Sequence, residues 1–102
     1  MNTPFASSER ALAEAVRCVR EVLACNDVPT DGAQVSFEGA VPWSNVLRIM
    51  DDIGIDTPVP PPGEQTELWL VMFPRVADES NVHVTLAFGS DGKPCAVGMY
   101  AG

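Results

Sequence analysis

Lysine and arginine together supply only 6 of the 102 residues, against 14 aspartates and glutamates, which leaves a formal net charge of −8. A surface of that sign repels phosphate backbones and anionic lipid headgroups, so nucleic acid is excluded as a natural partner and basic or neutral proteins are favoured. Cysteine is scarce as well: three thiols, widely scattered, make neither a disulfide framework nor a zinc site. Cys18 and Cys25 fall on what reads as one helix, where seven steps of ~1.5 Å separate them by about 10 Å. A disulfide needs Cα atoms within roughly 7 Å. All three cysteines therefore read as small buried apolar residues.

No apolar run approaches the ~20 residues of a membrane span, and no basic start precedes an apolar stretch at the N-terminus. A chain that natively begins at Met1 is expected to be soluble and cytoplasmic. No glycine-rich junction leads from a strand into a helix, so no phosphate-cradling loop is expected, and no cofactor. The chain holds a single histidine.

The residues that are present describe an α+β domain spanning 1–102. Ser7 or Ser8 suits a helix N-cap and Glu9 the first turn, so a helix is expected over 7–25. Leu12, Val16, Val19 and Leu23 form its apolar stripe, widened by Ala15, Val22 and Cys18. Arg10 with Glu14 and Arg17 with Glu21 are opposite charges four apart on the other face. Asn26, Asp27 and Pro29 should end it. A strand over 33–38 follows, bounded by Gly39, and then a helix over 42–53 with Pro42 in its first turn and Gly54 as its stop.

Pro58, Pro60, Pro61 and Pro62 make 56–66 a stiff extended connector across one end of the sheet. Pro58 and Pro61 also fit the P-x-x-P spacing of a groove-binding ligand. The continuous apolar run within 67–74 suits a central strand covered on both faces. In 81–89, Val82, Val84, Leu86 and Phe88 alternate with His83, Thr85 and Ala87, as in a strand with one thinly covered face. Gly89-Ser90-Asp91-Gly92 is a turn, and 93–100 returns as a strand that Pro94 places at an edge. The order α-β-α-β-β-β gives a two-layer sandwich with two helices on one face of a mainly antiparallel four-stranded sheet.

Chemistry-bearing constellations are sparse. His83 has no nucleophile motif beside it, and Cys95 is its one candidate partner across the hairpin. Asp51 and Asp52 are adjacent, hence about 100° apart around a helix, and cannot share a proton as a catalytic dyad does. A metal would need further ligands from Glu38 or Asp56, so no metal site is expected. Two carboxylates at a helix C-terminus oppose its dipole at about 0.3–1 kcal/mol each, which hints at a use in binding.

Residues 35–55, VSFEGAVPWSNVLRIMDDIGI, resemble the periplasmic domain of the ExbD/TolR family, proton-motive-force partners in bacterial envelope complexes. Glu38 stands where that family has an acidic residue before a valine-proline-aromatic turn, here Val41-Pro42-Trp43. Val46, Ile49, Met50, Asp51 and Gly54 match the helix after it. The likeness runs from the first helix to about Trp69. The family's transmembrane helix, with its proton-coupling aspartate, has no counterpart in these residues, so no energy-coupling activity carries over. The proline connector and closing hairpin also depart from the family.

What the resemblance implies is a non-enzymatic protein-interaction domain, periplasmic if excised from such a protein, contacting its partner through Glu38, Trp43, Asp51 and Asp52. A free-standing acidic binder or inhibitor of the immunity or anti-defence type is the alternative, and a small enzyme using His83 the third. A homodimer through an edge strand or an uncovered sheet face is expected in the first case.

Overall fold

A computed structural model describes residues 5–24, 28, 30–53, 59–77 and 80–101, with 51–53, 75–77 and 80 described as backbone only. Its elements are α1 (Ser8–Leu23), β1 (Gln34–Pro42), α2 (Trp43–Ile53), β2 (Gln65–Ala77), β3 (Ser80–Phe88) and β4 (Pro94–Ala101). The four strands form one antiparallel sheet in the order β1-β2-β3-β4. The α+β class and the antiparallel four-stranded sheet are thus as the sequence implies, with β4 at an edge.

Helix α1 begins as its sequence dictates, since Ser7 caps it by accepting from the Arg10 N–H at 3.1 Å. It ends sooner than 25, because Ala24 turns left-handed at φ 51° and its N–H bonds the Arg20 carbonyl. Cys25, Asn26, Asp27 and Pro29 lie outside the described residues, as do Gly54, Asp56 and Pro58. The two expected ion pairs form, Arg10–Glu14 at 3.1 Å and Arg17–Glu21 at 3.0 Å, and Glu14 also reaches Arg17 at 3.1 Å.

The buried face of α1 is the small-residue side of the expected stripe, with Leu12 and Val16 partly buried beside it. Ala11, Ala15, Cys18 and Val19 are the buried residues, while Val22 and Leu23 are exposed. Small side chains at four-residue spacing let the helix axis approach the sheet closely, and that contact outweighs the larger side chains beside it.

Strand β1 continues to Pro42 rather than stopping at 38. Gly39 takes φ 113° and the register shifts between Phe37 and Gly39, so the chain crosses a bulge and stays in the sheet. Pro42 pairs with Gln65 as the last residue of the strand instead of opening α2, and the Trp43 N–H donates to the Glu64 carbonyl at 2.8 Å. β2 likewise starts earlier and runs past Pro74.

The main correction concerns the layers. Trp69, Val71, Phe73, Val82, Val84, Leu86, Phe88 and Val97 pack with Ala11, Ala15, Cys18 and Val19 of α1. Leu68, Ala87 and Ala96 pack with Val46 and Met50 of α2. Neighbours along a strand point to opposite faces, so the two helices cover opposite faces of the sheet rather than one.

The N-terminal lead-in is tied down by Glu67, a buried carboxylate whose Oε1 accepts from the Phe5 and Ala6 N–H groups at 2.6 and 3.2 Å. The connector crosses the sheet end as expected: the Val59 N–H donates to the Cys95 carbonyl at 2.8 Å. A Cβ on Gly89 would stand 2.9 Å from the Pro61 ring and 3.2 Å from that of Pro62.

Candidate functional site

The face that α2 covers is built in rows, one residue from each strand. Gly39, Leu68, Ala87 and Ala96 make one row, and its small residues leave room for Val46 and Met50. The next rows are Ser36-Leu70-Thr85-Gly98 and Gln34-Met72-His83-Tyr100. There the side chains of Leu70, Met72, His83 and Tyr100 stand up from the sheet outside the cluster formed with Val46 and Met50 of α2, with Thr85 buried among them. What remains is a shallow hollow of about 260 Å³ lined by Gln34, Ser36, Leu70, Met72, His83 and Tyr100.

Leu70 at 36% and Tyr100 at 47% exposure are large apolar groups left in water. The His83 and Tyr100 rings stack with centroids 4.7 Å apart and planes 10° from parallel, which makes a flat amphipathic platform across β3 and β4. None of the six lining side chains carries a formal charge at neutral pH with histidine neutral. On a chain of net −8, this is a patch set apart by its lack of charge.

Among the described side chains singled out from the sequence, Glu38 and Trp43 stand apart. Glu38 is exposed at the β1 bulge and accepts from the Ser36 hydroxyl at 3.2 Å, so it stands on the rim of the open patch. Trp43, half buried, packs with Val41 and Leu68 against Val46 and Met50, under the other half of that face. Asp51 and Asp52 close α2 about 12 Å from Trp43 at ~1.5 Å per residue, and their side chains lie outside the described residues.

Nor do His83 and Cys95 meet. The Cys95 thiol donates to the Ala87 carbonyl at 3.3 Å. Ala87 lies four residues along β3 from His83, about 13 Å at ~3.3 Å per residue. Among the described residues no group of three His, Cys, Asp or Glu side chains could hold a metal, and no helix is long and apolar enough to cross a membrane.

Burial pushes the Cys95 thiol up to about 11 from its ordinary 9.0, with the negative charge of Asp91 adding to the effect and a hydrogen bond from its own backbone opposing it. The folded protein therefore disfavours thiolate formation. A group whose folded pKa is raised gives its full stabilisation below its unfolded pKa and loses it as pH climbs through the folded one. Between pH 9 and 11 the wild type should lose on the order of 1–2 kcal/mol more than Cys95→Ala, after discounting for partial solvent screening. Urea titrations of both proteins at pH 8 and 10.5 measure this, and parallel pH profiles would contradict it. At pH 8, Cys95 should react with a thiol reagent only on unfolding.

The face open beside α2 was partly foreshadowed by the His83–Thr85–Ala87 alternation in β3. Its aromatic partner was not. Compared with models of known protein families, with curated proteins and with solved structures, the chain matches none.

Proposed function

We propose that this is a non-enzymatic protein-interaction domain that docks a protein partner on the open half of the sheet face beside α2. The observation that carries the reading is the exposure of Leu70 and Tyr100 in an uncharged hollow of an otherwise acidic chain. Burial of apolar surface drives association, and depletion of charge at the centre of a patch with charge at its rim is the composition of an interface. Glu38 supplies that rim. The resemblance of residues 35–55 to ExbD/TolR periplasmic domains supports the same class of function, and there the acidic residue before the turn is this Glu38. A free-standing acidic inhibitor is the second reading, favoured by the charge of −8, and it would engage a basic partner through the acidic remainder of the surface.

Photo-crosslinking inside the cell of origin discriminates these. A crosslinker placed at Leu70 or Tyr100 should form protein adducts, while one at Ala13, on the exposed side of α1, should form none. Adducts at Ala13 with none at Leu70 and Tyr100 would overturn the docking surface.

A further inference from the structure

We propose that the α1 face of the sheet carries a binding site for a neutral ligand that presents a carbonyl oxygen on an aromatic or apolar body. The site is a hollow of about 600 Å³ at the start of α1, lined by Phe5, Ala6, Ser8, Arg10, Trp69 and Gly92. Trp69 belongs to the cluster packed with α1, so the hollow lies on the face opposite Leu70 and is separate from the docking surface.

Trp69 supplies the observation that points to a ligand. It is 6% exposed, and its Nε1–H is buried without an acceptor among the described residues. Buried indole N–H groups usually find a partner, and one left without keeps the full cost of its desolvation. Phe37 packs on the same ring, with centroids 4.9 Å apart, but brings no oxygen. Glu67, two residues along β2 on the same face, spends its Oε1 on the Phe5 and Ala6 N–H groups instead. The nitrogen is closed to bulk water, so its acceptor has to come with a molecule that fills the hollow.

The wall around it is rich in donors. Ser7 spends its hydroxyl oxygen on the Arg10 N–H and its carbonyl on the Ala11 N–H. The Ser8 N–H, at the first helical position, has no intrahelical acceptor, and the Ser8 hydroxyl can donate too. Phe5 and Trp69 add aromatic surface for the body of the ligand. The volume falls within the roughly 300–1,000 Å³ of small-molecule sites.

Charge decides against an ion of either sign. The buried Glu67 carboxylate and the net −8 of the chain repel an anion. Arg10 does not offset this, because its guanidinium is held by Glu14 at 3.1 Å. A cation meets Arg10 and the positive end of the helix dipole, and it offers the indole no lone pair. A neutral carbonyl meets neither repulsion and accepts from Trp69.

The indole signal of Trp69 in 15N–1H spectra of the full chain, identified by its loss in Trp69→Phe, reads the site directly. Phenylacetamide should move it along a saturable curve, with dissociation on the order of a millimolar. Phenylacetate and phenethylamine, the same ring carrying either charge, should bind at least about tenfold more weakly. Ser8→Leu should weaken the amide by about tenfold or more by filling the hollow. Ser8 is exposed and is not the cap, which keeps that variant folded. N-acetylphenylalaninamide separates two sources of the same chemistry. Binding about tenfold tighter than phenylacetamide traces the carbonyl to a peptide chain, and equal or weaker binding to a free small molecule, with the site upheld in both cases. A Trp69 signal unmoved by phenylacetamide up to about 50 mM would overturn the inference. So would equal binding of either charged probe, or an unchanged curve in Ser8→Leu. These results leave Leu70 and Tyr100 to the crosslinking experiment.

Discussion

Replacing Phe88 by alanine should cost about 3–5 kcal/mol of stability, the range for removing a fully buried aromatic ring. Phe88 has no exposed surface and belongs to the larger cluster, between β3 and α1. The loss combines transfer of the ring's apolar area with a cavity that the surrounding Trp69, Leu86 and Val97 cannot fill without leaving their rotamers. Against the 5–15 kcal/mol that holds a domain of this size together, it should bring unfolding near ambient conditions. Denaturant titration reads it as a fall in midpoint at constant slope. On the opposite face, Leu70→Ala should cost less than about 1 kcal/mol, because Leu70 is already partly in water. Equal costs at the two positions would mean that the open half-face is covered.

Ala15→Leu is the second large effect, expected to destabilise by about 1–3 kcal/mol through overpacking. Ala15 is fully buried and sits where α1 lies against the sheet, with Ala11 one turn before and Val19 one turn after. Leu23→Ala should cost less than about 1 kcal/mol, since Leu23 is 38% exposed. If the Leu12–Val16–Val19–Leu23 stripe were the core face, the order of the two effects would reverse. Thermal melting of both variants, made singly, settles the order.

Much of the secondary structure was legible because it depends on residues near in sequence. Ser7 as N-cap, the i,i+4 ion pairs of α1 and the Gly89–Gly92 turn need only a few neighbours to be right. The alternation of Val82, Val84, Leu86 and Phe88 likewise named the packed face of β3. The placement of the helices was not legible. β2 is apolar at successive positions, so its sequence does not say which face meets which helix, and Ala87 and Ala96 read as filler until their row is seen under α2.

The two bulges hid the candidate site. Phe88 pairs with Pro94 but Ala87 pairs with Ala96, a shift of one that puts Tyr100 rather than Met99 beside His83. A one-residue slip turns every later side chain to the other face, and nothing around Cys95 announces it. The bulge at Glu38–Gly39 acts the same way on β1 and keeps Ser36 on the face of Leu70 while Val41 reaches the α2 side. Of the partner-binding residues read from the sequence whose side chains are described, Glu38 borders the open patch, because its neighbour Ser36 lies in it, and Trp43 packs in the α2 cluster instead.

Photo-crosslinking inside the cell of origin, from Leu70, Tyr100 and Ala13 in turn, tests the central claim most directly. The account predicts protein adducts from Leu70 and Tyr100, which stand exposed in the uncharged hollow, and none from Ala13 on the exposed side of α1. Adducts from Ala13 with none from the two patch positions would contradict it.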